Sequence, residues 1–459
     1  MADRYDCIVI GSGPGGYVAA IRAAQLGMKT AVVEKDRVGG RCLNYACIPA
    51  KAVLRVAEVA MDAREGEQFG VHVSDVKIDF PGVTNHRDEV VKKLTGGVGQ
   101  LLKKNEVDVI EGFGAIDDDA NVRIGGKFDG TVVEAGKVVL ACGSVPKPVL
   151  GLQFGKRILS TETMWTLDEQ PARLAVVGAG ASGTEVASAF GRLGTEVHLF
   201  EALPQILPLE DKDIARAAAR EIAKQNVTIV TEANVESVDA SDDGVTIAWG
   251  DSKEKFDYLC IAAGRGPDVE GLGLDEPGVK LDDRGLIEVD GAQRTSVEGV
   301  YAIGDMVRGK ALAHKASDEG IIAVEDAAGM ETHPIDQPFV PAATFCHPQV
   351  ASFGLTEAQA KEQGYDVTVG RIPITAVGAP TVYGDRGGMV KIVGDKKYGE
   401  LLGGHVVCAK AADLIQELVA ARDLEGGYPE VAREIHPHPA YAEAVMEAAR
   451  AADGWLIHG

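Results

Sequence analysis

One local pattern occurs twice in this chain and limits what it can fold into: an apolar strand runs through a glycine turn into a helix and then into a second strand. The first copy reads YDCIVIGSGPGGYVAAIRAAQLGMKTAVVEKD, and the second reads RLAVVGAGASGTEVASAFGRLGTEVHLFEA. Such a turn lets a pyrophosphate approach a helix N-terminus, and an acid at the end of the second strand can accept hydrogen bonds from a ribose. The residues concerned are Gly11, Gly13, Gly16 and Glu34 in the first copy, and Gly178, Gly180, Gly183 and Glu201 in the second.

A single glycine pattern of this kind can be an ordinary strand-to-helix turn. Here the acid follows the third glycine at the same distance in both copies. Two copies in register predict two adenine dinucleotides, and the pairing that makes chemical sense is FAD supplied by a nicotinamide. A carboxylate at Glu201 would repel a 2′-phosphate, and no arginine follows it directly, so NAD is favoured over NADP.

The bulk composition predicts several globular domains and excludes some partners. A chain of 459 residues is too long for one hydrophobic core. Its net charge of -23 repels nucleic acid and anionic membrane surfaces. The first residues enter a strand pattern at once, so we expect no signal peptide, and no apolar run reaches the length of a membrane-spanning helix. A cytoplasmic protein is expected, in which a close cysteine pair is catalytic or metal-binding.

Two of the seven cysteines, Cys42 and Cys47, lie close together in the stretch GGRCLNYACIPAK. At this spacing a regular helix would hold them too far apart for a disulfide, so Cys42 is expected on an irregular turn. Pro49 is tolerated in a first helical turn, which predicts that the following amphipathic helix begins near Cys47. The helix dipole there favours a thiolate.

A redox-active disulfide is therefore predicted, with an inert buried pair or half of a metal site as the alternatives. No second cysteine or histidine pair with ligand spacing is present, so no metal is predicted. The other cysteines lie mostly in apolar runs and are predicted to belong to the core: Cys7, Cys142, Cys260, Cys346 and Cys408.

A redox dithiol needs a proton acceptor, and a candidate lies in HPHPAYAE near the C-terminus. Pro439 suits a first helical turn, which would place His438 just outside the helix and Glu443 just inside it. The carboxylate could then orient the imidazole. His436 is the local competitor for the role of base, and a pair of surface histidines is the alternative to both.

Three further apolar runs end where a backbone could pass close to a cofactor. VVLACGS and YLCIAAGRGPD end in small residues, which include Gly143 and Gly264. TSVEGVYAIGDM brings Asp305 to a strand end, where a carboxylate could bind flavin hydroxyls. Taken alone, each run is also compatible with an ordinary strand-to-loop turn.

The chain resembles the flavin-dependent pyridine nucleotide-disulfide oxidoreductases from end to end. The motifs that carry the resemblance include GSGPGGYVAAIRAAQLG, GGRCLNYACIPAK, TSVEGVYAIGD, LAHKASDEG, TFCHPQVASFGLTE and HPHPAYAE. Within that family, LAHKASDEG is most similar to the branch that oxidises dihydrolipoamide with NAD. The resemblance therefore implies a dehydrogenase that acts on dihydrolipoamide through the Cys42 and Cys47 disulfide and FAD.

The resemblance also implies a role for each matching position. On the FAD side, Glu34 would bind the adenosine ribose, Asp305 would lie on the flavin side, and Lys51 and Glu185 would pair near the flavin ring. In the redox site, Cys47 would contact the flavin, Cys42 would exchange with dihydrolipoamide, and His438 would act as the base that Glu443 orients. Further cofactor contacts are implied for Gly114, Gly143, Ala313 and Gly264.

The implied fold is α/β, with two Rossmann-like dinucleotide-binding domains and a C-terminal α+β dimerisation domain. The predicted boundaries are residues 1–149 and 271–338 for the FAD-binding domain, 150–270 for the NAD-binding domain and 339–459 for the interface domain. A homodimer is implied, in which His438 serves the cysteines of the other subunit. The implied partner is dihydrolipoamide on the lipoyl domain of an acyltransferase, within a 2-oxoacid dehydrogenase complex.

Some positions depart from the family pattern, and three other functions stay open. Asn44-Tyr45-Ala46 stands where Asn-Val-Gly is usual, and Ala181 and Ser182 stand where a larger residue and isoleucine are common. These departures bear on substrate choice more than on fold. The open alternatives are a reductase of another low-molecular-weight disulfide, a protein that acts chiefly as a scaffold-bound component, and a nucleotide-binding module without turnover.

Overall fold

The computed structural model describes residues 4–125 and 130–459. Internal contacts divide the chain into two compact units. The first consists of Met1–Ala52, Thr84–Lys147 and Gly264–Gln337, and the second of Val53–Val83, Pro148–Ala263 and Pro338–Gly459. Among the described residues, no helix combines the length and the apolar character that crossing a membrane requires.

The helices and strands follow one another in the order expected for repeated strand–helix–strand units. The helices are α1 (Pro14–Gln25), α2 (Gly40–Asn44), α3 (Cys47–Glu65), α4 (Phe80–Lys104), α5 (Ala181–Leu193), α6 (Lys212–Ile222), α7 (Ala313–Ala327), α8 (Glu357–Glu362), α9 (Gly378–Tyr383), α10 (Ala411–Asp423), α11 (Tyr428–Val431) and α12 (Glu443–Ala452).

The strands are β1 (Arg4–Ile10), β2 (Thr30–Glu34), β3 (Asp108–Glu111), β4 (Phe113–Ile116), β5 (Val122–Gly125), β6 (Thr131–Leu140), β7 (Ser144–Pro146), β8 (Ile158–Ser160), β9 (Arg173–Val177), β10 (Glu196–Phe200), β11 (Val227–Val230), β12 (Val235–Ser241), β13 (Gly244–Trp249), β14 (Ser252–Phe256), β15 (Tyr258–Ile261), β16 (Arg265–Pro267), β17 (Val300–Ala302), β18 (Ala342–Thr344), β19 (Gln349–Gly354), β20 (Val367–Pro373), β21 (Met389–Asp395) and β22 (Leu401–Cys408).

The first unit is built on a sheet with the strand order β3-β2-β1-β6-β5-β4, and β17 pairs with β6. Strand β1 pairs in parallel with β2 and β6, whereas β4, β5 and β6 form an antiparallel meander. Ile8 and Ile10 pack into one core cluster, and Cys7 and Val9 pack into another. Burial of β1 on both faces explains its uninterrupted apolar run.

The second unit contains a parallel sheet with the order β11-β10-β9-β15-β8, in which the second glycine turn joins β9 to α5. It also contains an antiparallel sheet with the order β18-β19-β22-β21-β20. One core cluster joins buried side chains of that sheet to those of α10 and α12. These sheets confirm the predicted α/β class, while the predicted domain boundaries stay predictions.

A buried charge cluster in the second unit was not predicted from the sequence. The Lys391 side chain is only 2% exposed, and its Nζ atom lies 2.7 Å from Asp211 Oδ1 and 2.9 Å from both Asp213 Oδ2 and Glu357 Oε2. Arg371 adds a second cation, 3.0 Å from Asp213. Because a buried ammonium is stable only when it is paired, these carboxylates hold Lys391 in place.

Candidate active site

The two glycine turns have the same local geometry. Gly11 and Gly178 have φ angles of +100° and +98°, which favour glycine. A Cβ atom built on Gly16 would lie 1.9 Å from the carbonyl oxygen of Gly11, and one on Gly183 would lie 1.9 Å from that of Gly178. The first and third glycines are therefore required by the fold itself.

The middle glycines, Gly13 and Gly180, differ from their neighbours. A Cβ atom at either position would meet nothing within 4 Å, and each glycine directly precedes a helix, α1 or α5. Open space in front of a helix N-terminus is what a bound pyrophosphate requires. The turns therefore fit two dinucleotides.

The acids that end the two second strands are held in matching positions. Glu34 Oε2 accepts a hydrogen bond from Ser12 N at 2.9 Å, and Glu201 Oε2 accepts one from Ala179 N at 2.8 Å. In both copies the other carboxylate oxygen accepts from a backbone N–H two residues further on. Each carboxylate is thus fixed beside its glycine turn. The Ser12 hydroxyl also donates to Glu34, a contact that the glycine pattern does not predict.

Helix α3 begins at Cys47, as predicted. Cys42 was expected on an irregular turn, and this expectation was wrong, because Cys42 lies in the short helix α2. The turn between the two helices brings both cysteines together as thiols that hydrogen-bond to each other. The break between α2 and α3, rather than one continuous helix, brings the sulfurs into contact.

The environment of the pair controls where its negative charge resides. The hydrogen bond to Cys47 and then burial raise the pKa of the Cys42 thiol, although the Lys51 ammonium acts in the opposite direction. Cys42 therefore keeps its proton and donates it toward Cys47. The single charge of the reduced pair is favoured on the Cys47 sulfur, at the N-terminus of α3.

The other five cysteines are unreactive as thiolates, because their thiols stay protonated. Burial is the main cause that raises the pKa of each to about 12, and this applies to Cys7, Cys142, Cys260, Cys346 and Cys408. Apart from Cys142, which is partly exposed, they are buried. The prediction that these cysteines belong to the core is confirmed for the four buried ones.

Tyr45, which replaces the usual valine between the two cysteines, is anchored through its hydroxyl group. This hydroxyl donates to Asp36 Oδ2 at 2.7 Å, and the Arg37 guanidinium lies 5.7 Å from the centre of the ring. These contacts tie the turn between α2 and α3 to the segment that follows β2. Tyr45 therefore restrains the redox turn.

Asp305 lies in a short helical turn directly after β17. Its Oδ2 atom accepts a hydrogen bond from Ser144 Oγ. The Arg265 guanidinium donates to the carbonyl oxygen of Ser144 at 2.6 Å and to Oγ at 2.7 Å. The predicted flavin-side carboxylate is thus connected to the strand ends at β7 and β16, which were also predicted to pass close to the cofactor.

A buried ion pair supports this turn and was not predicted from the sequence. Lys315 Nζ lies 2.8 Å from Glu319 Oε1, and both side chains are at most 1% exposed. Glu319 Oε2 accepts from Gly304 N at 2.7 Å, and Lys315 Nζ donates to the Gly304 carbonyl at 3.1 Å. The four-residue spacing of the two charges in LAHKASDEG is the signal that could have revealed this pair.

The other positions predicted to contact a cofactor have varied surroundings. Gly143 has a φ of +77° and open space around a built Cβ, and Ala313 is the first residue of α7. A Cβ on Gly114 would lie 3.1 Å from side chains of β1 and β2, and the Gly264 carbonyl accepts from Lys147 N at 3.1 Å. Their cofactor contacts stay predictions.

The histidine and the acid of the C-terminal motif are paired. His438 Nδ1 lies 2.9 Å from Glu443 Oε1, and Glu443 Oε2 accepts from Ala440 N at 2.9 Å. Burial alone would raise the pKa of Glu443, but these two hydrogen bonds lower it below its ordinary value. Pro439 was expected in a first helical turn, and this was wrong. It follows a cis peptide bond outside α12, which begins at Glu443.

The predicted pair of Lys51 and Glu185 is not brought together within one unit. Lys51 belongs to the first unit and Glu185 to the second. Glu185 Oε1 accepts a hydrogen bond from Phe345 N at 2.9 Å. The pairing of Lys51 with Glu185 therefore stays a prediction.

Two dinucleotide turns and a contacting cysteine pair define a nucleotide-linked enzyme of thiol and disulfide chemistry. A family model described as pyridine nucleotide-disulphide oxidoreductase matches residues 5–320, and the dimerisation domain of that family matches residues 340–449. The chain belongs to the pyridine nucleotide-disulphide oxidoreductase family. The predicted cofactors, FAD and NAD, are those of this family.

Curated relatives match over the full length of the chain. A dihydrolipoyl dehydrogenase of Bacillus subtilis is 40% identical over 482 aligned positions and covers 100% of both chains. One of Thermus scotoductus is 41% identical, covering 99% of this chain and 98% of its own.

Solved structures share the fold. LpdA from Mycobacterium tuberculosis has a TM-score of 0.90 at 28% identity, and the match covers 97% of this chain and 99% of that one. An HOCl-induced flavoprotein disulfide reductase from Escherichia coli, solved as a Cu(II) complex, has a TM-score of 0.88 at 26% identity with the same coverage.

Proposed function

We propose that the chain is a dihydrolipoyl dehydrogenase, which oxidises dihydrolipoamide to lipoamide with NAD through Cys42, Cys47 and FAD. The observation that carries this proposal is the contact between the two thiols, with Cys47 at the N-terminus of α3. Identity of about 40% with curated dihydrolipoyl dehydrogenases over the whole chain supports the choice of substrate.

In the first chemical step, a thiol of the substrate attacks the oxidised pair. His438 is suited to accept the thiol proton at Nε2, because Glu443 holds Nδ1 at 2.9 Å as a hydrogen-bond donor. The new thiolate forms a bond to the Cys42 sulfur. The bond between Cys42 and Cys47 breaks, and the Cys47 sulfur leaves as a thiolate.

In the second step, the other thiol of the substrate loses its proton and attacks the substrate sulfur of the mixed disulfide. This closes the lipoamide ring and releases Cys42, which takes up one proton and hydrogen-bonds to Cys47. The second proton leaves through His438. The substrate has then lost two electrons, and the cysteine pair has gained them.

The glycine turns prepare the binding of both dinucleotides. Open space at Gly13 and Gly180 leaves room for a pyrophosphate in front of α1 and α5. Glu34 and Glu201 are held where each can accept hydrogen bonds from a ribose. FAD held at the first turn would supply the redox chemistry that links the cysteine pair to NAD held at the second turn. The chain contributes position and charge to this transfer.

We further propose a homodimer in which His438 of one subunit serves the cysteines of the other. The match to a dimerisation domain over residues 340–449 supports this assembly. The lipoyl domain of an acyltransferase is the proposed carrier of the substrate, and a cytoplasmic location is proposed with it.

An anaerobic visible spectrum tests the proposed function. NADH is added stepwise to the purified protein, followed by lipoamide. A long-wavelength band from the Cys47 thiolate to the flavin, discharged by lipoamide, is the expected result. Bleaching of the flavin without that band would place the cysteines outside the electron path.

A reductase of another low-molecular-weight disulfide is the second candidate. Tyr45 favours it, because this chain has an anchored aromatic ring where the family usually has valine. Steady-state rates with lipoamide, glutathione disulfide and related disulfides separate the two functions. A rate with another disulfide that exceeds the rate with lipoamide would replace the first proposal.

A further inference from the structure

The segment between α11 and α12 carries two histidines that meet opposite surroundings. The side chain of His438 is 76% exposed, whereas that of His436 is only 7% exposed. Ile435, directly before His436, is 99% exposed. An inward-facing polar ring between outward-facing neighbours needs partners that compensate for its burial.

His436 has an acceptor at each ring nitrogen. Nε2 lies 2.8 Å from Glu417 Oε1 on α10, and Nδ1 lies 3.3 Å from the carbonyl oxygen of Glu434. An imidazole can donate to two acceptors only when both nitrogens carry a proton. The geometry therefore describes His436 as an imidazolium ion bound to a carboxylate.

The charges around the ring agree with this state. The hydrogen bond that the His436 ring donates to Glu417 is the largest cause that raises the pKa of His436 above its ordinary value, although burial opposes it. A protonated ring whose two N–H groups are both engaged cannot accept a substrate proton. His436 is therefore unsuited to the role of base for which it was the competitor.

The contacts made by His436 differ in kind from those of His438. Glu443, the partner of His438, lies at the start of the helix that directly follows the segment. Glu417 lies on α10, a separate element earlier in the chain. The ion pair of His436 thus ties the segment to the packed core of the second unit, two residues before the proposed base.

We propose that His436 is a positioning residue, whose ion pair with Glu417 holds the segment on α10 and so places the His438 imidazole for proton transfer. The inference rests on the proposed function, since it assigns the base to His438. A small displacement of a catalytic group can cost about 10²-fold in rate, so an anchor this close to the base matters for turnover.

The test compares His436→Gln with His436→Leu in the full-length holoenzyme. Glutamine keeps an N–H donor for Glu417 but cannot accept a proton, whereas leucine keeps neither function. We expect kcat for dihydrolipoamide oxidation to fall by about tenfold or more in His436→Leu and by less than about threefold in His436→Gln. Reduction of ferricyanide by NADH, which needs no thiol base, is expected to stay unchanged in both.

Glu417→Gln removes the other half of the pair and serves as a second route to the same result. The falls in dihydrolipoamide oxidation rate caused by Glu417→Gln and by His436→Leu are expected to be non-additive in the double variant, because both substitutions break the same interaction. His72→Leu, at an exposed histidine in a different segment, is the matched control and is expected to keep all rates.

Three outcomes of the rate and stability measurements would overturn the inference. Equal losses in His436→Gln and His436→Leu would make His436 a proton acceptor. Parallel losses of the ferricyanide rate and of thermal stability would reduce the ion pair to a general structural role. Unchanged dihydrolipoamide rates in His436→Leu and Glu417→Gln would remove the role altogether.

Hydrogen exchange keeps this test separate from that of the proposed function. Amide exchange over residues 434–442 is expected to be faster in His436→Leu and Glu417→Gln than in the wild type, whatever the substrate. A wild-type enzyme that is inactive with dihydrolipoamide would contradict the proposed function but not the anchoring of the segment by His436. Unchanged exchange in both variants would sink the anchor.

Discussion

The Nδ1 atom of His438 lies 2.9 Å from Glu443 Oε1, and this contact determines which ring nitrogen is available for chemistry. A carboxylate can only accept, so Nδ1 carries the proton and the lone pair resides on Nε2. The exposed ring thus presents a proton acceptor of fixed orientation. Its roles remain predictions, and kinetics can test them.

Replacement of the base is expected to slow only the thiol half of the reaction. His438→Gln should lower kcat for dihydrolipoamide oxidation by about 10²–10⁴-fold, the usual contribution of a general base. Glu443→Gln should cause a smaller loss, because the ring stays but is oriented less well. NADH-dependent reduction of ferricyanide is the internal control, and full retention of dihydrolipoamide turnover in His438→Gln would refute the assignment.

Alkylation should select the redox pair over every other thiol. After reduction by NADH at pH 8, iodoacetamide is expected to label Cys42 or Cys47, whose shared hydrogen bond stabilises one thiolate. Thiols with a pKa of about 12 are ionised to roughly one part in ten thousand at that pH.

Peptide mass spectrometry of the alkylated protein locates the label, and protein kept oxidised is the control. Comparable labelling of Cys7 or Cys260 would contradict the burial of these thiols.

The glycines of the second turn should separate binding from folding. Gly180→Ala adds a methyl group where nothing lies within 4 Å, so the melting temperature should stay close to that of the wild type. The same methyl group would meet the pyrophosphate, and the KM for NADH should rise by about tenfold or more.

Gly183→Ala is the matched contrast, since its Cβ would lie 1.9 Å from the Gly178 carbonyl oxygen and should destabilise the fold. An unchanged KM in Gly180→Ala would show that the nicotinamide dinucleotide binds elsewhere.

The Lys391 cluster should make stability depend on acid pH. Although burial opposes it, hydrogen bonds from Lys361 and Lys391 lower the pKa of Glu357 to about 2 from an ordinary 4.5. A lowered pKa in the folded state contributes stability that is fully present above pH 4.5 and is lost as the pH falls toward 2.

Lys391→Met should therefore lower the melting temperature most at neutral pH, and the difference from the wild type should narrow on acidification. Lys224→Met, at a lysine whose side chain is 68% exposed, is the control. A constant difference across this pH range would contradict the assigned cause.

The sequence predicts best the features that short-range sterics impose. The glycine turns and the start of α3 at Cys47 were predictable because glycine spacing and Pro49 restrict the backbone locally. Helix α2, with only five residues, is too short to show a hydrophobic period, so Cys42 was misplaced.

The prediction that Pro439 lies in a first helical turn was wrong for a different reason. Proline at a first helical turn is a statistical preference, and the helix here begins four residues later at Glu443, where the side chain bonds Ala440 N. The ion pairs of Lys391 with Asp211 and of His436 with Glu417 join segments that are distant in sequence. No local pattern contains such pairs, so only the folded structure reveals them.

The matching glycine turns leave the choice between two cofactors to other parts of the chain. Because Gly11 and Gly178, Gly16 and Gly183, and the two acids repeat the same geometry, the turns alone cannot tell a flavin dinucleotide from a nicotinamide one. Discrimination must come from residues that meet the two different rings. If the two glycine turns were exchanged with each other, each nucleotide-binding region should therefore still bind the cofactor that it binds now.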